Sequence, residues 1–169
     1  PETALAFRVI ADHARAATML MSEGVIPSNV ERGYVLRRLI RRAVRYGQLL
    51  GCPEPFLYKL VPAVLEIFRE TYPEIVPAET QVVSGLKMEE SRFIETLAAG
   101  ERELKALLVD TAGTLAGAQA FKLYDTFGFP LELTKEICGA RNIKVDEEGF
   151  AKAKDEAAAV ARASWKGSG

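Results

Sequence analysis

The stretch Arg32-Gly-Tyr-Val-Leu-Arg37-Arg38-Leu-Ile-Arg41-Arg42-Ala-Val-Arg45 holds six arginines, no lysine and no acid. At about 100° per residue, Arg37, Arg41, Arg45, Arg38 and Arg42 fall within an arc of roughly 140°, with Tyr34 among them. Val35, Leu39, Leu50, Ala43, Leu36 and Ile40 take the opposite arc. The spacing predicts an amphipathic helix with one side in a core and the other toward an anion. A guanidinium is a rigid, permanently charged donor fork that fits phosphate better than an ammonium does. A nucleic-acid backbone is therefore the first partner to consider. Solvation, or pairing with acids of another helix (Glu89, Glu90, Glu95, Glu101, Glu103), is the structural alternative.

The helical period continues on both sides of this stretch. A first helix is predicted over about Leu5 to Glu23, with Phe7, Ile10, Ala14, Ala17 and Met21 inward and Gly24 at its end. The loop Val25-Ile-Pro-Ser-Asn29 leads into the arginine helix, which reaches about Leu50 and closes at Gly51-Cys-Pro53. A third helix covers about Glu54 to Thr71, with Pro62 as a kink or boundary. A long helix follows over 78–109, with Val82, Val83, Leu86, Phe93, Leu97, Leu104 and Leu107 on its apolar side. Shorter helices are expected at Ala118 to Tyr124 and Leu131 to Cys138, and an alanine-rich one at Asp146 to Trp165. No segment alternates as a strand. The expectation is an all-α fold of six to seven helices over residues 1–169, with lobes at 1–76 and 111–169 joined by the long helix 78–109.

Bulk composition narrows the function. A chain of 169 residues with 49% apolar content can bury a real core and is not disordered. Its net charge is −1, so anion binding must come from a local patch rather than a global field. Cys52, Cys138 and the single His13 show no metal-ligand spacing, and two distant cysteines read as reduced thiols of a cytoplasmic protein. No apolar run approaches the roughly 20 residues that span a bilayer. The arginine helix also lacks the aromatic face of a membrane-surface helix. The start at Pro1 reads as a segment excised from a longer chain.

Two polar residues outside the arginine face carry possible chemistry. Asn29 sits next to a helix start, where a cap or turn role is usual, yet its amide can donate and accept together at a base edge. Asp125 in Asp125-Thr-Phe-Gly128-Phe-Pro130 reads either as an Asx-turn or cap residue, or as an acceptor for an amino group. There is no nucleophile–base pair, no glycine-rich phosphate loop and no metal spacing, so catalysis by these residues alone is not expected.

Four motifs in order resemble the alanyl-tRNA synthetase family: Arg8-Val-Ile-Ala-Asp-His13, Pro27-Ser-Asn29, Arg32-Gly-Tyr-Val-Leu-Arg37-Arg38 with Arg41-Arg42-Ala-Val-Arg45, and Leu123-Tyr-Asp-Thr-Phe-Gly-Phe-Pro130. The resemblance covers essentially the whole chain. It implies the helical tRNA-recognition region that follows a class II aminoacylation core. The implied partners are the acceptor stem of tRNA(Ala) and the catalytic and editing domains of the same polypeptide. ATP and magnesium would bind upstream, and the editing domain's metal downstream, leaving no cofactor here. The resemblance also implies that Asn29 and Asp125 read a G:U wobble pair, and that Arg32, Arg37, Arg38, Arg41, Arg42 and Arg45 hold the backbone.

A-form stems expose base edges and 2′-hydroxyls in a wide minor groove, where a wobble guanine leaves its amino group without a base partner. A carboxylate can accept from that amine, while arginine–phosphate contacts set register without reading sequence. Two positions depart from the family pattern. Val30-Glu31 stands where many members carry an acid and a small residue, and Ala116 where an acid is common. The rival reading from the residues alone is a helical interaction module whose arginine face docks an acidic protein.

Overall fold

The computed structural model describes residues 2–165. Its elements are α1 (Glu2–Ser22), α2 (Glu31–Leu49), a 3-10 turn (Leu57–Leu60), α3 (Val61–Phe68), a second 3-10 turn (Pro73–Ala78), α4 (Glu79–Val109), β1 (Thr114–Leu115), α5 (Gly117–Phe127), α6 (Leu131–Gly139), β2 (Lys144–Val145) and α7 (Glu147–Trp165). The fold is all-α. The chain forms two compact units, Pro1–Glu95 and Thr96–Gly169, and the division falls inside α4.

In the first unit α1 packs on α2, and α3 with both 3-10 turns packs on α1. The buried positions of α1 are Ala6, Val9, Ile10, His13, Ala14, Ala17, Thr18 and Met21. Ala6, Ala14, Ala17 and, on α2, Ala43 are small enough to let two helix axes approach closely. Phe7, expected inward, lies off this stripe and is 62% exposed. On α2 the buried set is Gly33, Leu36, Ile40, Arg41, Ala43, Val44, Tyr46 and Gly47, so the inner face is rotated from the expected one. Val35 turns out to solvent and Arg41 turns in. The expected third helix is split: a 3-10 turn precedes α3, whose first turn takes Pro62 where no amide donor is needed.

Glu90 explains that split. Its carboxylate is 0% exposed, and it comes from α4 to the start of the 3-10 turn. Oε1 accepts from the amides of Phe56 (3.0 Å) and Leu57 (2.7 Å), and Oε2 from Tyr58 (3.1 Å). The turn has no capping side chain of its own, so an acid more than thirty residues away satisfies its orphan donors. Burial pushes the Glu90 carboxyl above its usual range, against the downward pull of those three amides and of Lys59.

In the second unit α5 packs against α7 and α6. Leu97, Leu104, Leu108, Leu115, Leu123, Phe129 and Leu133 are buried there, with Leu108 replacing the expected Leu107. Thr114 and Leu115 pair in parallel with Lys144 and Val145. Two-residue strands are too short for alternation to register in a sequence. Helix α5 runs three residues beyond the expected end, through Asp125, Thr126 and Phe127, and stops at Gly128 in the left-handed conformation (φ 69°). There the Phe129 amide turns back to the Leu123 carbonyl at 3.1 Å and its ring is fully buried. The N-cap of α5 is Ala116, in extended conformation with no side-chain acceptor, at the position where the resemblance has an acid. Asp146 caps α7 by accepting from the Gly149 amide at 2.9 Å.

Candidate nucleic-acid interface

The loop before α2 is built to present Asn29. Ser28 donates its amide to the Gly33 carbonyl at 3.1 Å, and its hydroxyl donates to the Val30 carbonyl at 3.1 Å. A Cβ on Gly33 would collide with Ser28 Oγ and the Ile26 carbonyl, so only glycine lets the loop fold back onto the first turn. Glu31 opens the helix at φ 49°, a left-handed conformation that residues other than glycine seldom adopt. Asn29 is exposed at the tip.

Arg37 ties this loop down. Its Nη1 donates to Asn29 Oδ1 at 2.7 Å and its Nη2 to the Pro27 carbonyl at 3.3 Å. The same guanidinium donates from Nε to Glu89 Oε1 at 2.9 Å and from Nη2 to Glu89 Oε2 at 3.4 Å. Glu89 is itself buried, and it also accepts from Nε and Nη2 of Arg41, both at 2.9 Å. Arg41 lies over the Phe93 ring, 5.0 Å from its centroid, and is only 7% exposed. The arginine stripe is therefore not uniform. Arg41 is turned into the core by the acid that pairs with it, and Arg37 is engaged with the Asn29 loop. Arg32 is exposed, while Arg38, Arg42 and Arg45 are half-buried.

His13 sits beneath Arg42. Arg42 Nη1 lies 3.4 Å from His13 Nε2, and His13 Nδ1 lies 3.3 Å from Asp12 Oδ2. A guanidinium can only donate, so Nε2 accepts and the ring proton belongs on Nδ1, facing the carboxylate. Burial lowers the His13 pKa below its ordinary 6.5, with Arg42 and Arg38 acting the same way and Asp12 opposing. The ring thus takes up its proton at lower pH in the folded chain than in the unfolded one, where it titrates near 6.5. Its contribution to stability is complete above that pH and declines as pH falls through it. The urea midpoint is expected to fall between about pH 7.5 and about pH 5.5, and to fall less in H13N; an equal drop in both proteins would assign the effect to other groups.

Asp125 lies in the second unit, exposed in the last turn of α5. Among the described residues no hydrogen bond or ion pair engages its carboxylate. The last turn carries no basic residue, and the helix dipole there disfavours negative charge. It caps nothing, contrary to one of the two readings of the sequence. Tyr124 beside it packs edge-on against Phe150, 5.6 Å between centroids. Pairing of the arginine face with acids of the long helix, the structural alternative, holds for Arg37 and Arg41 on Glu89, whereas the contact of His13 with Arg42 had no signal in the sequence. A signal existed for Glu89, since it falls on the apolar stripe of α4 between Leu86 and Phe93. Among the described residues no group of three or more His, Cys, Asp or Glu could hold a metal, and no helix is long and apolar enough to cross a membrane.

Comparison with known proteins places these features in a family. The profile of the tRNA synthetases class II (A) matches residues 1–169. The chain is 49% identical over 164 residues to an alanine–tRNA ligase of Paramagnetospirillum magneticum, covering 96% of this chain and 19% of that protein. It is 50% identical over 169 residues to one of a Chelativorans species, covering 96% and 19%. A third, of Rickettsia bellii, is 49% identical over 173 residues, covering 99% and 19%. The chain thus spans about a fifth of the length of these relatives.

Proposed function

Since this chain belongs to the tRNA synthetases of class II (A), we propose that it recognises the acceptor stem of tRNA(Ala) through its G:U wobble pair. In this reading it serves ATP-dependent alanylation as the recognition part of a cytoplasmic alanine–tRNA ligase and performs no chemistry alone. The face of α2 carries the argument. Arg32, Arg38, Arg42 and Arg45 supply cationic forks on the helix that also fastens the Asn29 loop, so backbone grip and base reading share one rigid element. Arg41 serves this face as a buried anchor rather than as a phosphate ligand.

Asp125 offers an exposed acceptor in the second unit, and its unfavourable place at a helix C-terminus supports a use other than folding. A carboxylate there would accept from the guanine amine that a wobble pair leaves open. Asn29, exposed in the first unit, offers an amide that can meet a base edge.

The grip is tested by titrating a fluorescent acceptor-stem hairpin at several salt concentrations. Arg42→Gln is expected to weaken binding to wobble and Watson–Crick stems alike and to flatten the salt dependence by about one unit of slope. An unchanged slope would remove Arg42 from the backbone contacts. Binding insensitive to salt in the wild-type chain would favour the rival of an interaction module.

A further inference from the structure

Arg37 joins three elements at once: α2, the loop at Pro27 to Asn29, and Glu89 of α4. Every guanidinium nitrogen is engaged in these contacts. Glu89 cannot swing away, because Arg41 holds the same Oε1 from the core side and is itself stacked on Phe93. The fork of Arg37 is therefore aimed from behind by a buried ion cluster.

The aim has a chemical consequence at Asn29. A guanidinium carries donors only, so the atom 2.7 Å from Nη1 must be the amide oxygen. The Asn29 side chain cannot flip without setting its NH2 against the NH2 of Arg37. Its oxygen is committed inward, and its amino group is left as the polar end toward solvent. In the grooves of a stem, purine N3 and pyrimidine O2 are acceptors, whereas guanine N2 is a donor. An outward amide donor complements the former and repels the latter.

We infer that Arg37, aimed by Glu89, is a positioning residue that fixes Asn29 as a hydrogen-bond donor, so that Asn29 reads an acceptor on the base pair. This rests on the proposed reading of the wobble pair. It also separates Arg37 from the arginines that grip phosphate. Loss of a phosphate contact weakens all stems and lowers the salt slope, whereas loss of a positioning contact lowers only the preference between stems.

Two measurements on the 169-residue chain test it. The first is free of RNA: in 15N-resolved NMR spectra, the side-chain NH2 protons of Asn29 are expected to be shifted from random-coil values, and Arg37→Lys to return them there. An Asn29 amide at random-coil shifts in the wild-type chain would overturn the clamp. The second titrates hairpins carrying G:U or G:C. Arg37→Lys is expected to reduce the G:U preference about tenfold, with affinity for G:C and the salt slope unchanged. Asn29→Asp keeps the bond to Arg37 but has no N–H to offer, so it is expected to lose the preference as fully as Asn29→Ala. An Arg37→Lys variant weakened equally on both stems with a lower slope would make Arg37 a phosphate ligand and overturn the inference. A preference retained by Asn29→Asp would make Asn29 an acceptor and overturn it too. A clamped amide together with no wild-type preference for G:U would instead locate the failure in the proposed function.

Discussion

Replacing Glu90 with alanine is expected to destabilise the first unit by about 3–5 kcal/mol. The carboxylate accepts three backbone amides, at Phe56, Leu57 and Tyr58, and the turn has no other cap. Truncation leaves those donors without an acceptor and opens a cavity between α4 and the 3-10 turn. Each buried amide left unmatched costs about 1–3 kcal/mol, less where water can reach it. Glu90→Gln keeps the volume and one acceptor but turns an NH2 toward the amides, so an intermediate loss is expected. Urea unfolding gives the size of the effect, and amide hydrogen exchange gives its place. Protection should be lost first at Phe56, Leu57 and Tyr58. A Glu90→Ala variant with wild-type stability and protection there would contradict the capping role.

Replacing Asp125 with alanine is expected to remove most of the preference for a G:U stem, about 1–3 kcal/mol or roughly five- to a hundred-and-fifty-fold, while affinity for a G:C stem stays the same. The carboxylate is exposed, makes no ion pair or hydrogen bond among the described residues, and stands at the negative end of α5. Its removal should leave thermal stability equal or slightly higher. Selectivity lost with stability kept separates base reading from a structural part, because loss of a structural residue lowers both. Asp125→Asn retains an acceptor oxygen without the charge and should keep part of the preference. Equal losses on both stems would take Asp125 out of base reading. Lowered stability together with equal losses would make it a structural residue.

The elements with long periodic patterns were legible in the sequence. Helices α1, α2 and α4 lie where three- and four-residue spacing puts them, within a few residues at each end. What pattern could not supply was orientation within a helix. Phe7 and Val35 satisfy the period but stay outside, because packing of alanine-lined helices decides which neighbouring stripe is inner. The charged residues were the least legible. Glu89 and Glu90 lie between Leu86 and Phe93 on the apolar stripe of α4, which reads as two acids in a core and asks for partners. Those partners, Arg37 and Arg41 in one case and three amides in the other, are 32 to 52 positions away; the sequence offered the acids of the long helix to the arginine face as a group, but no local rule picks Glu89 for the arginines and Glu90 for the amides. The same distance hid the division of labour on the arginine face. Six arginines in one stretch look alike, and only the fold distinguishes an anchor (Arg41) from a clamp (Arg37) and from the rest.

The measurement nearest the central claim compares wild-type binding to two acceptor-stem hairpins that differ only in one pair, G:U against G:C, by fluorescence titration at two salt concentrations. Recognition of the wobble pair requires tighter binding to the G:U stem, by about tenfold or more, with both affinities falling as salt rises. Equal affinity for the two stems would contradict base reading by Asn29 and Asp125 and leave only the arginine grip to these residues.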